Sequence, residues 1–253
     1  MVHFVGAGPG AVDLITVRGQ DLLREADRVI YAGSLVNPAF LELCKDGCIC
    51  LNSATMTLEE VLDAIINAER EGLTTVRLHT GDTGLYSTIR EQMDRLDALR
   101  IPYDVTPGVS SFSASAAAVH AEFTLPGVSQ TLIITRMPGR TPVPDTEDMA
   151  ALAKHRASMA VFLSASLLDR LTAKLLEGGL QADTPAAIVY KASWPDEKVI
   201  MCTVGTLEKA AREAGVSTTA MILIGAFLNG AGERSRLYDP SFTHMFREGT
   251  VAD

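Results

Sequence analysis

Short apolar runs recur along the chain, each followed by a turn signal or by apolar positions at helical spacing. In the first half the runs are HFVGAG, RVIYAG, CICLN, TVRLHTG and YDVTPG. Between them, TVRGQDLLREA opens on Thr16, a residue suited to cap a helix. TLEEVLDAIINAEREG carries a capping box from Thr57 to Glu60 and stops at Gly72. STIREQMDRLDALR sets Ile89, Met93, Leu96 and Leu99 on one stripe. Strands alternating with helices predict a mainly parallel sheet covered on both faces.

The second half predicts strands at TLIITR, AVFLSAS, AAIVYKAS, KVIMCTVGT and AMILIGAFL, and helices over Thr146–Arg156, Ala165–Glu177 and Leu207–Ala214. Only WPDE separates the third and fourth of these strands, too little for a parallel crossover, so they are expected to be antiparallel. The chain therefore reads as α/β, with a mainly parallel N-terminal sheet and a mixed C-terminal one. The expected division is an N-terminal domain over 1–125, a C-terminal domain over 126–232, and a tail over 233–253. LPGVSQ punctuates the first boundary. Tyr238, Phe242 and Phe246 are expected to pack the tail on the body, and the last residues to be mobile.

Composition narrows the classes. With 253 residues, 47% hydrophobic and 21% charged, the chain is long and apolar enough for a real core and is not a disordered sequence. No apolar run approaches the ~20 residues of a membrane span, and no charged-then-apolar leader precedes the first strand. A soluble, cytoplasmic protein without a membrane partner is expected. The net charge of -9 argues against general nucleic-acid binding. Cys44, Cys48 and Cys50 form a CxxxCxC run that lacks a partnering CxxC or HxxxH. These thiols and Cys202 are expected to be reduced, with no metal.

Gly6-Ala7-Gly8-Pro9-Gly10-Ala11 fits the loose pattern GxGxx(G/A) after a strand, which invites a dinucleotide-binding interpretation. Two features oppose it. The next strand ends Val29-Ile30-Tyr31-Ala32-Gly33 with no acid for a ribose; Asp27 precedes that strand. Pro9 also removes a backbone donor from the loop. The glycines remain compatible with a simple turn or with close approach to another ligand.

Ligands of open α/β sheets bind beyond the carboxyl ends of the strands. Two further ends are marked here. TVRLHT runs into Gly81-Asp82-Thr83-Gly84-Leu85-Tyr86-Ser87, and YDVT into Pro107-Gly108-Val109-Ser110-Ser111-Phe112. Taken singly, each is a turn before a helix, with Ser110 or Ser111 as a cap. Together and in this order they resemble the tetrapyrrole methylase family, whose hallmarks are GxGPG, GDPxxYG and PGxSS or PGxTA. The resemblance covers nearly the whole chain and departs from GDPxxYG at Thr83 and Ser87. Ala32-Gly33-Ser34-Leu35-Val36, the run from Lys191 to Glu197, and Leu237-Tyr238-Asp239-Pro240 look like the branch that methylates C11 of precorrin-4 or cobalt-precorrin-4 in cobalamin biosynthesis.

The resemblance implies two α/β domains with the active site in the cleft between them, S-adenosylmethionine as methyl donor, S-adenosylhomocysteine as product, and a homodimer. It places the donor at Pro9, Gly81, Asp82, Thr83, Leu85, Tyr86, Ser110 and Ser111, and at Phe162, Leu163, Ala192, Ala220 and Met221. Methyl transfer to an electron-rich carbon demands no strong base, so no catalytic acid or base is singled out; His79, beside Gly81 and Asp82, is the histidine of most interest. Asp82 has two readings, a ribose contact or a turn former. A tetrapyrrole bearing many carboxylates requires a locally positive trough. Arg90, Arg136, Arg140 and Lys191 are candidates for it, with Phe112 or Trp194 packing on the macrocycle or in the core. The alternatives are another regiospecific precorrin or uroporphyrinogen methyltransferase, a nicotinamide-dependent oxidoreductase, and a tetrapyrrole-binding protein without turnover. A relative acting on ribosomal RNA suits this acidic chain poorly.

Overall fold

The structure, a computed structural model, describes residues 1–230 and 232–250. The chain divides into two units, the first made of Met1–Ala114 with Lys191–Glu197, the second of Ser115–Tyr190 with the chain from Lys198 onward.

In the first unit the five apolar runs become β1 (Val2–Gly6), β2 (Arg28–Tyr31), β3 (Ile49–Asn52), β4 (Thr75–His79) and β5 (Tyr103–Thr106). They form one fully parallel sheet in the order β3-β2-β4-β1-β5. Alternation along each strand feeds two cores. Val5, Val29, Val76 and Leu78 pack with Leu23 of α1 (Val17–Glu25) and with Phe40. On the other face Val2, Phe4 and Ile30 pack with Val61, Leu62 and Ile65 of α2 (Leu58–Arg70) and Leu96 of α3 (Ile89–Leu99). The helix starts follow the capping chemistry. Thr16 Oγ1 accepts from the Gly19 amide at 3.2 Å. Thr57 Oγ1 accepts from Glu60 N at 3.2 Å, and Glu60 Oε2 from Thr57 N at 2.7 Å. Leu99 departs from its expected stripe and is 53% exposed. The left-handed Arg100 ends α3 there, and Ile101 folds back to take the core contact, its amide donating to Leu96 O at 3.0 Å.

In the second unit the strands are β6 (Leu132–Arg136), β7 (Ser158–Phe162), β8 (Pro185–Tyr190), β9 (Lys198–Thr203) and β10 (Ala220–Ile224), in the order β6-β7-β10-β8-β9. Only the β6–β7 pair is parallel; β8 and β9 are antiparallel, as their short link demands. After α4 (Ser111–Ala118), which crosses the unit boundary, come α5 (Met149–Ala153), α6 (Leu168–Glu177) and α7 (Leu207–Ala214). Met159, Val161, Leu171, Leu175, Ile188, Leu207 and Ile222 fill the core. The helix expected over Thr146–Arg156 shrinks to α5, because the Asp148 carboxylate caps it there, accepting from the amides of Ala150 and Ala151 at 2.9 and 3.2 Å. The tail departs most. Tyr238, Phe242 and Phe246 are 71%, 39% and 87% exposed and do not pack it on the body. The segment instead folds on itself, with Arg247 donating to Leu237 O at 2.9 Å and pairing through its backbone with His244. The expectation for the chain end falls on residues 251–253, outside the described residues. Among the described residues no helix is long and apolar enough to cross a membrane.

Candidate functional site

The sheet order makes β4, β1 and β5 neighbours, so their carboxyl-end loops lie side by side. The first two loops continue the sheet for one more rung. Ala7 N donates to His79 O at 2.7 Å, and Gly8 and Gly81 exchange backbone hydrogen bonds of 3.1 and 2.8 Å. Glycine is required because backbone touches backbone. A Cβ on Gly6 would lie 2.6 Å from Gly81 O, and one on Gly108 would lie 2.1 Å from the same oxygen. Asp82 ties the second loop to itself and to the third: Oδ1 accepts from Gly84 N at 2.8 Å, and Oδ2 from Gly108 N at 2.9 Å. Of the two roles open to Asp82, the structure displays the turn former. This arrangement also disfavours a dinucleotide. Such folds put β2 beside β1, so that an acid on β2 reaches the ribose; here β4 intervenes, and β2 ends without an acid.

The segment 191–197 seals the first loop. Trp194 Nε1 donates to Pro9 O at 3.0 Å, and the Ala11 amide donates to Ser193 Oγ at 3.0 Å. The indole lies so close over Gly10 that a Cβ there would sit 2.0 Å from Trp194 Cδ1. Asn37 Nδ2 adds a donor to Gly10 O at 2.9 Å. Lys191 pairs with Asp196 at 2.7 Å and stands 5.0 Å above the Trp194 ring. The left-handed backbones at Tyr86, Thr88, Lys191 and Ser193 mark these loops as strained.

Beneath the loops lie buried polar groups. Arg77 donates through Nε to Gln92 at 3.1 Å and through Nη1 to Ile30 O at 2.9 Å, and burial pulls its guanidinium down to about 10. Burial, and then the Arg77 charge, pull His79 down to about 3, so this imidazole stays neutral at working pH. His79 Nε2 and Thr80 Oγ1, just before Gly81, are buried without a hydrogen-bond partner. An unpaired buried polar atom costs about 1–3 kcal/mol. Orphaned groups beside glycine-rich backbone suit a small polar ligand.

Pro9, Gly81, Asp82, Thr83, Leu85, Tyr86 and Ser110 lie in these three loops, Ser111 opens α4 directly after the third, and Ala192 lies in the sealing segment. In the second unit, Arg136 pairs with Phe162 where β6 and β7 end, and the antiparallel β10, whose Ile222 pairs with Val161, begins with Ala220 and Met221 at that same end of the sheet; Leu163 follows Phe162. Leu163 is 61% exposed and left-handed.

Residues 1–208 match the family described as Tetrapyrrole (Corrin/Porphyrin) Methylases. The chain belongs to the tetrapyrrole methylase family. It is 46% identical to the cobalt-precorrin-4 C(11)-methyltransferase of Methanocaldococcus jannaschii, over 98% of this chain and 96% of that one. It is 43% identical to the precorrin-4 C(11)-methyltransferase of a Sinorhizobium species, over 97% and 98%. The X-ray structure of a cobalt precorrin-4 methyltransferase superposes with a TM-score of 0.88 at 45% identity, over 90% of this chain and 95% of that one.

For this tetrapyrrole methylase the expected basic trough is less free than the sequence suggests. Arg90 is ion-paired with Asp94 on its own helix. Arg136 turns inward on its own loop, donating to Met137 O, Thr141 O and Pro142 O at 3.3, 3.2 and 2.6 Å. Lys191 has Asp196. Arg140 is exposed, and Phe112 is half-buried at the start of α4. The residues that sequence reasoning missed are Asn37, Arg77, Gln92 and Ser193. They are ordinary polar residues far along the chain from the glycine loops they support, or buried beneath them, and no local pattern distinguishes them.

Proposed function

We propose that this chain transfers a methyl group from S-adenosylmethionine to C11 of precorrin-4 or cobalt-precorrin-4 in cobalamin biosynthesis. The observation that carries the proposal is 46% identity, along 98% of the chain, with a relative bearing that reaction in its name. The donor supplies an electrophilic methyl on a positive sulfur, and the departing thioether needs no proton. The protein's part is then binding and alignment, which can supply about 7–11 kcal/mol. The Gly8–Gly81 rung and the Asp82 strut hold the three loops in fixed register. His79, neutral and buried, brings no competing proton chemistry. Phe162, Leu163, Ala220 and Met221 enter the donor assignment on the family pattern alone. So do Arg90, Phe112, Arg136, Arg140 and Lys191 as substrate contacts, with Arg90 and Arg140 both exposed.

The test is calorimetric titration with S-adenosylhomocysteine, with NADH and NADPH as controls, followed by turnover of both tetrapyrroles with a carbon-13-labelled donor methyl. Saturable binding of the thioether near one per chain, and label at C11, are expected. Nicotinamide binding in place of the thioether would overturn the reaction class. Label at another carbon would point to a different regiospecific member of the family. The proposal includes a homodimer working in the cytoplasm; sedimentation at the monomer mass would remove the first part, and fractionation of cells the second.

A further inference from the structure

The spacing Cys44-x-x-x-Cys48-x-Cys50 alone does not demand a metal, but the fold adds what spacing lacks. Residues Pro38–Leu43 form a short helix with Cys44 at its end. A turn follows, closed by Cys48 N donating to Lys45 O at 3.2 Å and made possible by Gly47 at φ +82°. The chain thus reverses and sets Cys48 beside Cys44. Cys50 is one alternation further on, in β3. Its register partner is Val29, whose side chain lies in the same core that Cys44 and Cys48 flank, while Leu51 faces the opposite core. Strand periodicity therefore delivers the third sulfur to the face that already holds two. All three Sγ atoms lie within 4.8 Å of one another.

We propose that Cys44, Cys48 and Cys50 bind one thiophilic cation of the zinc class on the outer edge of the first sheet. A tetrahedral zinc with bonds of about 2.3 Å sets its sulfurs about 3.8 Å apart, which small side-chain rotations reach from here. Each thiol gives its proton to the buffer as its sulfur–metal bond forms. Cys44 and Cys48 are half-buried and Cys50 is exposed, so a fourth coordination position opens to solvent or to a thiol from outside. Three thiolates favour soft cations over magnesium or calcium. Occupancy ties β3, which has a strand neighbour on one side only, to the segment that precedes it. The site is separate from the methyl-donor loops and does not depend on the assignment made for them.

The experiment uses the full chain, kept reduced with a phosphine. Cadmium is the spectroscopic probe, because thiolate-to-cadmium charge transfer absorbs in the ultraviolet, and zinc is the competitor. The expected result is a saturable band at one cadmium per chain, with the amplitude of three thiolates, displaced by zinc and unchanged in Cys202→Ser. Cys50→Ser, on the exposed strand, and Cys48→Ser should each lower the affinity at least about 100-fold while leaving S-adenosylhomocysteine binding intact. Zinc at a hundred times its dissociation constant should raise the wild-type thermal midpoint by about 5–10 °C. A band of one thiolate or none, an undiminished band in Cys50→Ser and Cys48→Ser, or loss of the band in Cys202→Ser would each overturn the site.

Discussion

Replacing Asp82 separates a strut from a ligand contact. Its carboxylate accepts two backbone amides, one from Gly84 within its own exposed turn and one from Gly108 in the neighbouring loop. Hydrogen bonds to a charged acceptor contribute about 1.5–3 kcal/mol each when shielded. The bond to the exposed Gly84 is readily replaced by water, so about 0.5–1 kcal/mol is assigned to it and the full range to the inter-loop bond. Asp82→Ala should then destabilise by about 2–4 kcal/mol. Asp82→Asn retains one carbonyl oxygen for Gly108 N and loses the charge, so about 1–2 kcal/mol is expected. Urea unfolding followed by circular dichroism measures these losses, and titration with S-adenosylhomocysteine measures donor affinity on the same samples. A strut predicts that stability and affinity fall together, with Asn intermediate in both. Affinity lost in Asp82→Ala at a stability within about 0.5 kcal/mol of wild type would refute this reasoning and leave Asp82 as a ligand contact alone.

Three further outcomes follow from the same geometry. Gly108→Ala drives a Cβ to 2.1 Å from Gly81 O, a backbone atom that cannot swing aside; overpacking and loss of the Asp82 tie should cost about 3 kcal/mol or more, and an unchanged urea midpoint would show that the loops are not in contact. Trp194 is the single tryptophan, so its emission should shift when S-adenosylhomocysteine binds, and Trp194→Phe, which keeps a ring but loses the bond to Pro9 O, should destabilise by about 0.5–1.5 kcal/mol. Emission indifferent to the ligand would show that the sealing segment lies away from the bound thioether. For His79, the folded pKa of about 3 lies below the ordinary 6.5, so the unfolded chain binds the extra proton. Its contribution is present in full above pH ~6.5 and is lost as pH falls toward ~3, by at most about 5 kcal/mol. Between pH 7 and 4 the unfolding free energy of wild type should fall relative to that of His79→Leu, whose side chain takes up no proton; parallel curves would show that His79 is not the titrating group.

What the sequence discloses depends on how far apart the cooperating residues lie. The Thr16 cap, the Thr57–Glu60 box and the antiparallel β8–β9 pair are local and were legible, because a few adjacent residues decide each one. The three glycine-rich loops were legible as marked strand ends, yet their union required the crossing that inserts β4 between β2 and β1, which no run of residues encodes. Leu99 continued a 3.6-residue stripe on paper; the chain left the helix at Arg100 and let Ile101 do the packing. Asp148 read as an interior helical residue and acts as a cap, because its short side chain bonds its own backbone more readily than it continues a turn. The aromatic tail read as core-bound from hydrophobicity alone, which does not say whether a surface exists to receive it.

Because Trp194 closes the loop that begins at Pro9, the first glycine loop cannot be finished when it is made. The two residues are 185 positions apart. At ribosomal rates of about 5–20 residues per second, the loop waits roughly 10–40 s for its seal. Through that interval the five strands of the first sheet can assemble around an uncovered Gly10. A premature stop between β5 and the segment 191–197 would thus leave the first sheet with its first glycine loop unsealed. The order of synthesis therefore makes this loop one of the last parts of the first unit to be completed.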